Sequence, residues 1–185
     1  MAARKITTAL TDEVVRSLRA GDEVEISGSI YQARDSAHKR LVALIDAGEP
    51  LPFELQGAVV YYMGPSPAKP GNVIGSAGPT TSGRMDAYAP LLIEKGLKGM
   101  IGKGLRAEPV KQAMVEHKAV YFAATGGAGA LLAKRIVANE TIAWPELGAE
   151  AVARLEVVDF PAIVVMDCHG GDLYAEGRAR YAKSV

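Results

Sequence analysis

Between residues 58 and 137, short apolar runs of strand length alternate with helix-like stretches, the pattern of a sheet layered with helices. Residues 58–63 (Ala-Val-Val-Tyr-Tyr-Met) are branched and aromatic, as a buried strand requires. Residues 98–101 and 119–124 read the same way, with helices expected over 109–117 and 126–137. A further helix is expected after residues 78–83, reaching about Lys95. Alternation fails on both flanks, which are richer in strands. On the amino-terminal side, residues 4–8 read as a strand. Thr11-Asp12-Glu13 opens a helix with Val14, Val15 and Leu18 on one face, stopping at Gly21. Residues 22–31 read as a strand broken by Gly28, and residues 34–47 as a helix ended by Gly48 and Pro50. Residues 64–71 carry three prolines and form a loop, followed by a short strand over 72–76. On the carboxy-terminal side, residues 138–144, 151–158 and 162–165 read as strands, 172–174 as one more, and the charged tail as a helix. The fold class that accommodates both halves is α/β. The expectation is a single domain over residues 1–185, in three layers of two mixed sheets and helices (β/β/α).

The chain has 185 residues, 49% of them apolar, enough to bury a core without covalent staples. Cys168 is its single cysteine, which excludes an internal disulfide and points to a reducing cytoplasm. One cysteine also cannot hold an iron–sulfur cluster or a multi-cysteine zinc site alone. Lys plus Arg is 21 and Asp plus Glu is 21. That balance excludes a whole-chain basic footprint for nucleic acid and a polybasic membrane patch. The longest apolar stretches, 119–124 and 160–166, are too short to span a bilayer, and Met1-Ala-Ala-Arg-Lys-Ile lacks the apolar run of a signal peptide.

The most chemical segment is Gly78-Pro79-Thr80-Thr81-Ser82-Gly83-Arg84, expected where a strand becomes a helix. Hydroxyls, free backbone N–H groups and a positive helix end would converge there on an anion. Thr80 and Arg84 are four apart and can share a face; the arginine fork suits a carboxylate or phosphate. Arg34 lies at another strand-to-helix turn, with His38 four residues on, expected to be a structural hydrogen-bonding residue. Gly102-Lys103-Gly104 fails the phosphate-loop pattern, because Leu97 stands where the first glycine belongs and Gly104 replaces the Ser/Thr. Lys103 is then either a solvated turn lysine or an ammonium presented to a ligand. Gly126-Gly127-Ala128-Gly129 has Leu132 in place of the third glycine of a dinucleotide fingerprint, so close packing through small residues is expected. Cys168-His169 reads as a turn after a strand; two ligands do not make a metal site. His117 ends a helix, where a cation is favourable. Arg34, Thr80, Arg84 and Lys103 thus form a candidate polyanion site, suited to a small dicarboxylate or a phosphorylated compound. The set holds no ordinary acid–base group for neutral pH, so the chemistry is incomplete within this chain.

The chain resembles the β subunit, or C-terminal domain, of the class I iron–sulfur hydro-lyases, the fumarate hydratase and tartrate dehydratase family. The resemblance runs through nearly the whole chain. It is carried by Gly21-Asp-Glu-Val-Glu-Ile-Ser-Gly28, Ala33-Arg-Asp-Ser-Ala-His-Lys-Arg40, Gly78-Pro-Thr-Thr-Ser-Gly-Arg-Met-Asp86, Ile101-Gly-Lys-Gly104, Trp144-Pro-Glu-Leu-Gly148 and Asp159-Phe-Pro-Ala-Ile163. It implies a [4Fe–4S] cluster held by three cysteines of a larger partner α subunit, in an α2β2 assembly. It implies that Arg34, Arg84 and Lys103 bind the substrate carboxylates, and that Thr80 transfers the proton at carbon opposite a carboxylic acid from α. The fold implied is a swivelling β/β/α domain that closes over the cluster. Gly-Arg-Met-Asp and Asp-Phe-Pro-Ala-Ile are closer to the fumarase branch, which implies reversible hydration of fumarate to L-malate. The alternatives are the β subunit of L-tartrate dehydratase, a methyl-fumarate hydratase, a non-catalytic anion-binding regulatory module, and a nucleotide-dependent enzyme resting on residues 126–129.

Overall fold

Residues 59–63 alternate between two cores. Val59, Tyr61 and Met63 pack into one apolar cluster and Val60 and Tyr62 into another, the period of two that a strand buried on both faces requires. The computed structural model describes residues 3–182. Its elements are β1 (Arg4–Thr7), α1 (Asp12–Ser17), β2 (Glu23–Gln32), α2 (Asp35–Ala47), β3 (Val59–Tyr61), α3 (Ala89–Glu94), β4 (Gly99–Gly102), α4 (Glu108–His117), β5 (Val120–Ala123), α5 (Gly129–Ala133), β6 (Ile136–Ala143), β7 (Val152–Met166) and α6 (Leu173–Tyr181). Two 3-10 turns, Ser82–Met85 and Pro145–Glu150, complete them.

The strands form one mixed sheet in the order β1-β2-β3-β4-β5-β7-β6. β2, β3, β4 and β5 run parallel, and β7 is antiparallel to both β5 and β2. The β2–β7 pairing closes β2-β3-β4-β5-β7 into a barrel-like ring, with β1 and β6 added outside it. The two sheets expected from the sequence are therefore one continuous sheet. β7 makes this possible by its 15-residue length: it pairs with β2 from Ala153 to Ile163, with β6 through its first half and with β5 through its last residues.

One core contains Ile26 and Ile30 of β2, Val59 and Tyr61, Ile101, Val120 and Phe122, and Leu155, Phe160 and Val164 of β7. The other faces the helices: Val60, Tyr62, Met100 and Tyr121 meet Leu41 of α2, Leu92 and Ile93 of α3, and Val110 and Met114 of α4. Side chains of this size contribute about 1.5–3 kcal/mol each when fully buried. Tyr61 is wholly buried, and its hydroxyl donates to the Ala77 carbonyl at 2.6 Å. That bond fastens the approach to residues 78–84 onto β3. Gly28 keeps β2 in one piece where a break was expected. It takes φ +108° at a register shift between Ile26 and Gly28, and a Cβ there would lie 2.6 Å from Thr8 Oγ1.

Several local expectations change. Residues 72–76 are loop, because they have no strand to pair with and instead close on Ser66. The helix expected over 126–137 is confined to Gly129–Ala133, since Ile136 onward pairs with β7. The separate strands at 151–158 and 162–165 are the single β7. Asp172 makes only an isolated bridge to Met166 and then caps α6, accepting from the N–H groups of Tyr174 and Ala175.

Candidate active site

The carboxyl ends of parallel strands in an α/β sheet are where backbone groups and loop side chains converge on ligands. Arg34 follows β2, the 79–84 segment follows the loop after β3, and Lys103 follows β4. The 79–84 segment is stitched between those strand ends. Pro79 bridges to Met63 and Thr81 bridges to Lys103. The Thr80 N–H donates to the Tyr62 carbonyl at 2.8 Å, and the Ser82 N–H to the Lys103 carbonyl at 2.9 Å. The expected helix start at Thr80 is instead an extended stretch followed by the 3-10 turn Ser82–Met85. The four-residue spacing still brings the pair together: Arg84 Nη1 lies 3.4 Å from Thr80 Oγ1.

Arg84 is held by Asp35. Its Nε donates to Oδ1 at 2.9 Å and its Nη2 to Oδ2 at 2.5 Å, a two-point pairing that fixes the plane of the guanidinium. Asp35 is the residue after Arg34, so this pair couples the two candidate binding arginines. Arg34 caps the start of α2 with extended backbone angles, and its Nη2 is 3.4 Å from Glu150 Oε1. Glu150 also accepts from the Ser36 N–H; that bond and the charge of Arg34 outweigh burial and hold the Glu150 carboxyl below its ordinary range. The Nε of Arg34 is buried without a hydrogen-bond partner among the described residues.

Lys103 is exposed and makes no ion pair among the described residues. Its stem passes over Gly126, where a Cβ would come within 3.7 Å of Lys103 Cδ. Gly129 backs the segment from below. Its carbonyl accepts from the Ala77 N–H at 3.0 Å, and a Cβ on it would lie 2.8 Å from the Gly78 nitrogen. The glycine cluster thus packs closely, as expected, but against the loop leading to Thr80 rather than against a strand.

The four residues that the sequence singled out are linked by contacts: Arg34 through its neighbour Asp35 to Arg84, Arg84 to Thr80, and Thr80 to Lys103 through the backbone. None of them lines the groove of about 660 Å³ that runs between the 66–76 loop and α5. The site is instead an open face at the strand ends.

His38 is wholly buried. Its Nδ1 donates to the Arg34 carbonyl at 2.8 Å, its Nε2 has no partner among the described residues, and burial pushes its pKa down to about 4, so the ring is neutral. Cys168 and His169 lie by α1. The sulfur is 3.9 Å from the Val15 carbonyl, and His169 Nε2 is 2.6 Å from Arg19 Nη1. Burial pushes the Cys168 thiol up, away from thiolate chemistry. Among the described residues, no group of three or more His, Cys, Asp or Glu side chains could hold a metal ion. The donor set does not fit a [4Fe–4S] cluster bound by this chain, because its one cysteine points into the core.

Beneath the site lies a polar network that sequence reasoning missed. The Arg106 side chain is 0% exposed; its Nε donates to Asp86 Oδ1 at 2.7 Å, and its guanidinium lies over the rings of Tyr62 and Tyr121. Tyr121 Oη is 2.9 Å from both Ser82 Oγ and the Gly104 carbonyl. Ser82 and Asp86 belong to the 78–86 motif and could have been found there. Arg106 and Tyr121 carried no local signal.

A sequence model described as Fumarase C-terminus matches residues 2–177. The chain is 41% identical over 158 residues, 84% of its length, to fumarate hydratase 2 of Leishmania major. It is 41% identical over 155 residues to the anaerobic class I fumarate hydratase of Escherichia coli. It spans 28% of the length of each of these relatives. The putative L(+)-tartrate dehydratase subunit beta of Methanocaldococcus jannaschii is 38% identical over 173 residues, 90% of this chain and 89% of that protein. The chain belongs to the fumarase C-terminus family.

Proposed function

We propose that this chain is the β subunit, or C-terminal-type portion, of a class I fumarate hydratase. In it Arg34, Arg84 and Lys103 grip the two carboxylates of a four-carbon substrate and Thr80 moves a proton at carbon. The observation that carries this reading is the Arg84 fork. Asp35 occupies Nε and Nη2, and Nη1 is left aimed at Thr80 Oγ1. A threonine hydroxyl is intrinsically a very weak acid, so its alkoxide forms only where fixed positive charge stabilises it. In dehydration, the Thr80 oxygen takes a proton from one carbon while hydroxyl leaves the next, protonated by a carboxylic acid of the partner; hydration runs the reverse. Residues 1–185 then act as one swivelling α/β domain, closing in the cytoplasm over a [4Fe–4S] cluster held by a partner α chain in an α2β2 assembly. The open face at the strand ends supports a site completed by such a partner.

Anaerobic co-expression with the cysteine-bearing partner tests this. The chain alone is expected to be inactive, and the complex to hydrate fumarate to L-malate. A chain that recruits no such partner and binds a dicarboxylate as a stable monomer would instead be an anion-binding module. In the complex, Arg84→Ala is expected to raise KM about thirtyfold, the scale of removing one member of a hydrogen-bonded charge pair, and to lower kcat as well. An unchanged KM would remove Arg84 from the substrate. The relative of matching length is named for L-tartrate, so the same preparation is assayed with it. Faster turnover of tartrate would change the substrate and leave the residue roles standing.

A further inference from the structure

We infer that Ser82 and Tyr121 are positioning residues for Lys103, joined in a one-way hydrogen-bond relay that fixes the Gly102–Gly104 turn. The inference rests on the reading of Lys103 as a carboxylate-binding group. Proton accounting sets the direction. A phenol has a single hydrogen, and Tyr121 Oη has two oxygen neighbours, Ser82 Oγ and the Gly104 carbonyl, each at 2.9 Å. The carbonyl can only accept, so Tyr121 donates to it. Ser82 must then donate its own hydrogen to Tyr121 Oη. Its oxygen is left to accept the backbone N–H of Lys103 at 3.1 Å, a hydrogen shared with the Thr80 carbonyl at 3.3 Å. The relay runs Lys103 N–H to Ser82, Ser82 O–H to Tyr121, Tyr121 O–H to Gly104.

Both ends of the relay lie on the turn that carries Lys103. The Lys103 carbonyl is held as well, by the Ser82 N–H at 2.9 Å, so one serine grips both polar groups of that residue. Ser82 and Tyr121 are wholly buried, where an unmade hydrogen bond is costly and a made one is rigid. Burial also pushes the Tyr121 phenol up, which keeps it a donor at any physiological pH. Gly102 is part of the same device, because a Cβ there would collide with Ser82 Oγ. The result is an exposed, flexible lysine springing from a peptide locked on three sides. Preorganisation of this kind raises affinity without touching the ligand.

The test is a double-mutant cycle in the assembled complex, reading the dissociation constant of succinate by calorimetry and KM against kcat. Lys103→Ala is expected to weaken succinate about thirtyfold or more, and Tyr121→Phe about three- to tenfold, the scale of one hydrogen bond. KM should rise with kcat held within about twofold, since the lysine binds ground and transition states alike. In the Lys103→Ala background, Tyr121→Phe should add less than about twofold, because its route to the ligand is gone. A full multiplicative effect in that background overturns the relay and leaves Lys103 in place. A Tyr121→Phe complex with wild-type affinity does the same. An unchanged affinity in Lys103→Ala overturns the underlying reading, and the relay with it. Should Tyr121→Phe fail to fold, Ser82→Ala breaks the same relay at its middle link and takes its place in the cycle.

Discussion

Thr80→Ala is expected to lower kcat of the assembled hydratase by about 10²–10⁴-fold, the usual contribution of a positioned proton-transfer group. KM should move by less than about threefold, because Arg34, Arg84 and Lys103 are the residues proposed to grip the carboxylates. The structure makes this a clean substitution. Thr80 is half-buried, and its place in the fold depends on its backbone, which donates to Tyr62 and accepts from Lys103 at 3.3 Å. Among the described residues its side chain makes one hydrogen bond, the 3.4 Å contact from Arg84 Nη1. Removing Oγ1 therefore takes away the atom proposed to carry the proton and leaves the segment in position. Thr80→Ser keeps the hydroxyl and should recover most of the turnover, which separates the chemistry from any loss of packing by the methyl group. Steady-state rates and melting temperature on the three proteins decide it. Wild-type turnover in Thr80→Ala would end the assignment of Thr80 to proton transfer and move that role to the partner.

Local pattern and long-range pairing differ in how well they can be read from this chain. The strands near residues 59, 99 and 120 were legible because each is a short apolar run bounded by glycine, proline or a helix stop, and the ladder pairs them in chain order. The closure of the sheet was not legible. It depends on residues 23–32 meeting residues 153–163, a pairing that no local window contains. Asp159, at φ +47° before Phe160-Pro161, reads as a strand break, yet the ladder on β2 carries β7 through it. The site divides in the same way. Thr80 and Arg84 were found from a four-residue spacing that holds although the turn is 3-10 rather than α. Arg34 and Lys103 were found at turns after strands, and the fold puts those turns at the same ends of parallel neighbours. The support beneath them stayed hidden. Tyr121 lies inside the expected strand over 119–124, and Arg106 falls between the Gly102-Lys103-Gly104 turn and the next expected helix, outside every motif. Only the packing of β5 and the residues after β4 against the 78–86 segment gives them polar partners.

That hidden arginine supports the other large effect. Arg106→Ala should cost about 3–5 kcal/mol of stability, the range for removing one partner of a buried ion pair. Burial opposes the charge of Arg106, but the carboxylate of Asp86 and the two phenols around it hold its pKa above the ordinary arginine value. Each nitrogen is used: Nε donates to Asp86, Nη1 contacts Met100 Sδ at 3.3 Å and Nη2 reaches Tyr62 Oη at 3.5 Å. The guanidinium carbon sits 5.3 Å from the Tyr62 ring centre and 5.0 Å from that of Tyr121. Truncation to alanine opens a cavity between two aromatic rings and strands a mostly buried carboxylate, whose remaining bond is from the Ala107 N–H at 2.5 Å. Charge and cavity can be told apart. Arg106→Met with Asp86→Asn fills the space and removes the unpaired charge together, so the double variant should regain more than half of the loss. Urea unfolding of the three proteins (wild type, Arg106→Ala and the double variant) measures this. A loss below about 1 kcal/mol in Arg106→Ala, the scale of an exposed pair, would mean that water reaches this arginine and that the network does not support the site above it.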